Sequence, residues 1–187
     1  MATSPKSGEK TPDQQQLPAQ KAQREPQDAA YARAQDAIAT ARTSDASDLT
    51  LSGDDFSDLT ELPPDIGTLT ALTDLSLSGT QVSDISALSG LRGLSTLDLM
   101  RTSVSDISAL SGLTALSGLS LLGTPVNDLS PILPLTQLVD APKYGGLAFR
   151  NTAAARADRR IAEIAGIQDD AKRATDLCAY LKNVTPT

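Results

Sequence analysis

The chain has 187 residues and a net charge of −7, with no histidine, no tryptophan and a single cysteine. That length suits one domain with tails, and the missing histidines together with the lone Cys178 exclude a disulfide framework and most of the raw material of metal sites and catalytic triads. Residues 44–140 carry thirteen carboxylates against only Arg92 and Arg101, so the middle of the chain repels phosphate backbones and suits a basic or neutral protein surface better than nucleic acid.

Residues 1–27 are rich in Gln, Pro, Ser and Lys and show no apolar period, which predicts a disordered leader. The opening MATSPKSGEK has no apolar segment of a secretory signal, Ala2 stands where myristoylation needs glycine, and no stretch is long enough to span a bilayer. With one unpaired cysteine, the expectation is a cytoplasmic monomer without a membrane partner. The polar leader leaves a secreted effector as the alternative. From Asp28 the pattern changes: Tyr31, Ala34, Ile38 and Ala41 form the apolar stripe of an amphipathic helix over residues 28–43. Residues Asp48 to Ser52, DLTLS, then supply a first short strand before an insertion at Gly53 to Ser57.

A period of 22 residues follows. Leu72, Leu94, Leu116 and Leu138 fall in one frame, and with them Leu75, Leu97 and Leu119; Leu77, Leu99 and Leu121; Thr80, Thr102 and Thr124. The register runs on through Val82, Val104 and Val126, through Asp84, Asp106 and Asp128, and through Leu91, Leu113 and Leu135; the segments Ser83 to Leu91 and Ser105 to Leu113 are identical. A fixed period of this length is the mark of a stacked repeat architecture. Within each unit the LxL stretch alternates, so its leucines point into a core while the residues between face out on a parallel strand. One unit cannot bury its own leucines; neighbours do it, and the ends need caps. The threonines are expected to satisfy turn backbone groups and to run as a ladder from repeat to repeat, and the three aspartates to cap the amides of short helical turns.

This unit, LxxLxLxxTxVxDIxxLxxLxx, resembles the leucine-rich-repeat family, in particular the short bacterial repeats of internalin-like proteins and those beside the GTPase domains of Roc proteins. Leu59 to Leu75, with Leu62-Pro63 and Ile66-Gly67, is similar to a longer repeat of the same family. The resemblance covers about residues 48–152, and departs from the family where Thr80, Thr102, Thr124 and Thr152 stand in place of Asn or Cys. It implies an α/β solenoid: a leucine-rich-repeat horseshoe segment over residues 44–152 with about five short parallel strands, an N-terminal capping helix over 28–43 and a C-terminal helical cap over 153–187. The fifth strand is read from Leu147, Phe149 and Thr152, after six extra residues around Pro142, Tyr144, Gly145 and Gly146. The cap is read as two helices, one marked by Ile161 and Ile164, the other by Ala171, Ala174, Leu177, Cys178 and Leu181.

Candidates for chemistry are few. Some repeat proteins of bacteria carry a cysteine-dependent ubiquitin ligase domain, but residues 153–187 are too short for one, and Cys178 falls in an apolar helical stripe where it reads as a small core residue. Asp54, Asp55, Asp58 and Glu61 lack the spacing of a calcium loop. No phosphate loop GxxxxGK[ST] is present, so the resemblance to Roc-associated repeats brings no GTPase with it. No enzyme, cofactor or metal is expected. The strand face remains. Its outward positions are mostly small and polar, except for the column Ser78, Met100, Leu122 and Arg150, in which Met100 and Leu122 are expected to be exposed side by side beside a cation; the competing reading packs a cap or the insertion over them. Together with Asp98 and Arg101 these are the expected partner-binding residues. Five strands of five residues present roughly 250 Å², against about 800 Å² per partner in a standard interface. The expected partner is therefore a peptide, or a protein that also touches the flanking loops.

Overall fold

The computed structural model describes residues 17–140 and 146–184. Five parallel strands pair in chain order: β1 (Asp48–Thr50), β2 (Asp74–Ser76), β3 (Thr96–Asp98), β4 (Gly118–Ser120) and β5 (Leu147–Ala148). Asp48 pairs with Asp74, Asp74 with Thr96, Thr96 with Gly118 and Leu119 with Leu147, so paired residues stand 26, 22, 22 and 28 apart. The 22-residue frame thus sets the register, with one longer unit at each end. Strands this short are stable only because each repeat covers the next. Leu75, Leu97, Leu119 and Leu147 stack in the core, as do Leu77, Leu99, Leu121 and Phe149, and Val82, Val104 and Val126, none more than 2% exposed. Burying each such side chain contributes about 1.5–3 kcal/mol.

Opposite the strands, each unit closes through a 3₁₀ turn: Pro64–Thr68, Ser86–Leu88, Ser108–Leu110 and Ser130–Ile132. The aspartates cap the last three as expected. The amides of Ser86, Ser108 and Ser130 donate to Asp84, Asp106 and Asp128, each at 2.8 Å, and these bonds from Ser86 and Ser108 hold the Asp84 and Asp106 carboxyls below their ordinary value. At Gly67 two such turns approach so closely that an added Cβ would lie 2.7 Å from the Ala87 carbonyl oxygen.

The threonines satisfy backbone groups of their turns, as expected, but do not run as a ladder from repeat to repeat. Thr80, Thr102, Thr124 and Thr152 are buried, but each hydroxyl donates to the carbonyl three residues earlier in its own turn, those of Leu77, Leu99, Leu121 and Phe149, at 2.8–3.0 Å. The chain reverses within that turn, which brings its own carbonyl nearer than any group of the next repeat. The hydroxyl ladder between repeats lies at the strand entrance instead. There the Thr73 hydroxyl donates to Ser47, that of Ser95 to Thr73 and that of Ser117 to Ser95, while the carbonyls of Ser47, Thr73 and Ser95 each accept two backbone amides from the following repeat.

At the N-terminus, α1 (Leu17–Ser44) lays Ala30, Ala34, Ile38 and Ala41 on the first repeat. Tyr31, expected in that stripe, sits half-buried at its edge. The helix starts at Leu17 and not at Asp28, so residues 17–27 are helical where a disordered leader was expected; Ala19, Gln20, Lys21, Ala22, Gln23 and Arg24 are good helix formers. The rest of the expected leader, residues 1–16, lies outside the described residues, as do residues 141–145 of the expected insertion before β5, which follow a short helix α2 (Gln137–Asp140). The C-terminal cap has three helices where two were expected: α3 (Ala153–Ala157), α4 (Arg159–Ala165) and α5 (Asp170–Val184). Periodicity misses α3 because its sequence, AAARA, has no apolar stripe; its local signal is Thr152, whose Oγ1 accepts the Ala155 amide at 3.1 Å as an N-cap.

Candidate functional site

The strands place two kinds of residue on their outer face. At the first and third positions stand Asp48, Asp74, Thr96 and Gly118, then Thr50, Ser76, Asp98 and Ser120. Most are small and exposed or half-buried, Gly118 being buried, and the only charges among them are carboxylates. Over β2 to β4 the face dips into a depression of about 310 Å³, walled by Asp74 and Asp98 and floored by Thr96, Gly118 and Ser120. Gly118, buried at the edge of β4, and Gly146 beside it before β5 bring no side chain to this part of the face.

Both carboxylates are held from within the repeat. The Thr73 hydroxyl, whose single proton lies within reach of both the Ser47 carbonyl at 3.1 Å and Asp74 Oδ2 at 2.7 Å, is shared between them, and the Met100 amide donates to Asp98 Oδ1 at 2.9 Å. A strand spacing of about 4.8 Å and a rise of about 3.3 Å per residue put the two Cα atoms roughly 8 Å apart, on the diagonal between adjacent strands. Between them Thr96 Oγ1 is shielded from solvent and is the one buried side-chain oxygen among the described residues without a hydrogen-bond partner. Its neighbours Ser95 and Ser117 spend their hydroxyls on backbone carbonyls, and Thr73 shares its own between the Ser47 carbonyl and Asp74. A buried polar atom left unpaired costs about 1–3 kcal/mol, and such exceptions ask for a reason.

The expected column Ser78, Met100, Leu122 and Arg150 does not line this depression; it stands two residues further along the chain from Ser76, Asp98, Ser120 and Ala148. Ser78, Met100 and Leu122 are half-buried, so Met100 and Leu122 are not the freely exposed pair expected; Val184, at 51%, is the exposed large apolar residue. Their backbone is paired with the neighbouring repeats, the amides of Gly79, Arg101 and Gly123 donating to Met100, Leu122 and Arg150 at 2.8–3.0 Å, so each side chain of the column stands at rung spacing against those of the repeats beside it. Asp98 walls the depression. Arg101 is exposed, in the left-handed region at φ 55°, where the equivalent residues are Gly79, Gly123 and Asn151. Arg150 serves the cap: its Nε donates to Ala165 at 2.9 Å and its Nη2 to Gly166 at 3.2 Å, closing the C-terminus of α4.

Sequence reasoning passed over Asp74, Thr96 and Gly118 as members of a site because their types, small or acidic, recur along the chain. The signal was the break in the column Asp48, Asp74, Thr96, Gly118, where side-chain volume falls to zero.

Elsewhere, Cys178 is half-buried beside a groove of about 340 Å³ between Leu133, Val139 and α5. Desolvation pushes its thiol up, against the pull of Lys182, which disfavours a nucleophilic thiolate. Among the described residues no group of three His, Cys, Asp or Glu could hold a metal ion, and no helix is long and apolar enough to cross a membrane.

Parallel one-rung strands on a 22-residue period, an inward leucine frame and 3₁₀ turns on the far side make this chain a leucine-rich-repeat solenoid with helical caps. It is similar to an internalin (inlF) from Listeria monocytogenes, at 35% identity and a TM-score of 0.41, over 42% of this chain and 23% of that one. It is similar also to internalin C2 from the same organism, at 29% identity and a TM-score of 0.44, over 57% of this chain and 53% of that one. The chain therefore spans about a quarter and about half of the length of these two structures. No family model and no curated protein matches it.

Proposed function

We propose that this chain is a protein-interaction module that receives a peptide or a protein loop on its strand face. The observation that carries the reading is the depression over β2 to β4, an accessible stretch of sheet with walls of one charge beside the half-buried pair Met100 and Leu122. Small side chains let a ligand approach the sheet. The fixed carboxylates of Asp74 and Asp98 cost little further ordering on binding. The Met100–Leu122 edge, with Ser78 before it and Arg101 beside it, adds apolar area and a cation at the rim. Arg150 takes no part, because its guanidinium ties α4 to the last repeat.

The test is to recover a partner on the immobilised full chain and titrate it against variants. Met100→Glu places a charge on the rim and is expected to weaken binding by more than about 1 kcal/mol, with the melting temperature held. The same change at Ser111, exposed on the far side, is expected to do nothing. Normal binding by Met100→Glu, with loss on substitution of α5, would move the site to the cap.

A further inference from the structure

We propose that Asp74 and Asp98 form a seat for one arginine side chain of the partner, the guanidinium lying between the two carboxylates above Thr96 and Gly118. The inference rests on the strand face being the binding surface and names what that surface reads.

Geometry, space and charge converge. Asp74 uses Oδ2 and Asp98 uses Oδ1 to accept bonds from their own repeats, which leaves Asp74 Oδ1 and Asp98 Oδ2 as acceptors beside the depression. Carboxylates on the diagonal of adjacent strands, roughly 8 Å apart at Cα, suit a planar fork with donors on two edges; a compact ammonium meets one carboxylate well and the second poorly. Thr96, whose Oγ1 lacks a partner, lines the depression beside both carboxylates. The depression of about 310 Å³ between the carboxylates gives the occupant room. The charge is complementary: no cation stands at the outward positions of β1 to β4, and Asp48 adds a third carboxylate beside Asp74.

The experiment needs no partner. The full chain, labelled with ¹⁵N, is titrated with the peptide acetyl-Gly-Arg-Gly-amide, and in parallel with the same peptide bearing lysine or citrulline in place of arginine. Saturable shifts are expected at the amides of Thr96 to Met100 and Gly118 to Ser120 with arginine, at least threefold weaker binding with lysine, and none with citrulline. Asp74→Asn and Asp98→Asn keep an oxygen for the Thr73 hydroxyl and the Met100 amide, so the local fold is retained while the charge goes; each is expected to weaken the arginine peptide at least fivefold. Asp84→Asn and Asp106→Asn change net charge equally on the far side of the repeat and are expected to leave it unaltered.

Equal weakening by all four variants, equal binding of lysine and arginine, or shifts spread over the whole acidic surface would overturn the seat. That outcome leaves the interaction module standing, since the module is judged by the partner titration. Failure of the partner titration with a positive peptide result would remove the module and keep the seat.

Discussion

Arg173 donates from Nε to the carbonyl of Leu147 at 2.6 Å. Leu147 lies on β5, the last strand of the sheet, and its carbonyl points where a sixth strand would have donated an amide. The buried guanidinium replaces that strand. It also donates to Ile167 at 2.5 Å and pairs with Asp170, which holds α5 against the repeat end.

Arg173→Met removes these bonds while keeping the aliphatic stem. With the Leu147 carbonyl left unpaired inside the cap, stability is expected to fall by about 1–3 kcal/mol, and the uncovered strand edge to promote association. Guanidinium denaturation with light scattering measures both. A midpoint equal to that of the unaltered chain would show that the cap is held by its apolar residues alone.

Gly67 and Gly112 make a matched pair. An alanine Cβ at position 67 meets the Ala87 carbonyl oxygen at 2.7 Å, whereas at position 112 it meets nothing within 4 Å. Neither glycine has a positive φ, so only space separates them. Gly67→Ala is expected to cost about 1–3 kcal/mol through overpacking. Gly112→Ala is expected to be neutral or stabilising by up to about 1 kcal/mol, through the unfolded chain. Thermal denaturation of the two variants decides it, and equal effects would refute the close approach of the first two turns.

Much of this was legible from sequence, for reasons visible in particular residues. Leu97 and its equivalents set the register because stacking demands one side chain per rung, and the same demand fixed all five strands. Asp84 and its equivalents declared their turns because a carboxylate before a short helical turn has one local use. What escaped was set by neighbours in space. The threonine ladder was placed at Thr80 when Thr73, Ser95 and Ser117 carry it, since both positions are hydroxyl-bearing and periodic. Arg150 looked like a free cation because α4, which it holds, is fifteen residues further on. The depression was invisible because its lining comes from three strands, Asp74 on β2, Thr96 and Asp98 on β3 and Gly118 and Ser120 on β4, which only the stacking brings together.

Asp158 and Tyr180 tie α4 to α5 in a pH-dependent way. The Tyr180 hydroxyl donates to Asp158 Oδ2 at 2.6 Å, while Asp158 Oδ1 accepts the amides of Arg160 and Ile161. The Tyr180 bond, then the backbone bond from Ile161, hold the Asp158 carboxyl below its ordinary value; the bond to Asp158 raises the Tyr180 phenol. A lowered carboxyl contributes stability above its unfolded value, about 3.9, that is lost as pH falls through the folded one; a raised phenol contributes below about 10 and loses its share as pH rises through the folded value. Tyr180→Phe is therefore expected to be less stable than the unaltered chain across the neutral range, with the difference closing in strong acid and shrinking in strong base. Urea midpoints between pH 3 and 11 measure it. A pH-independent difference would assign the effect to packing.

Arg101 holds a left-handed backbone, φ 55°, at the position where two other repeats have Gly79 and Gly123. That conformation costs an L-residue about 1–2 kcal/mol, and strain of this kind persists where something else is gained. The stem of Arg101 runs over Gly123, its Cγ 3.6 Å from where a Cβ would stand there, so the side chain is braced at the rim of the strand face. Arg101→Gly relieves the strain but adds freedom to the unfolded chain, worth about 0.4–1 kcal/mol; the net expectation is a stability unchanged or raised by up to about 1 kcal/mol. Arg101→Ala keeps the strain and loses the bracing, and is expected to be the less stable of the two. If the rim cation meets the partner, both variants lose about 1 kcal/mol or more of binding, so the more stable protein becomes the weaker binder. Melting curves and partner titration on the same two samples test this, and a glycine variant that is more stable and binds equally well would leave the strain at Arg101 without a function.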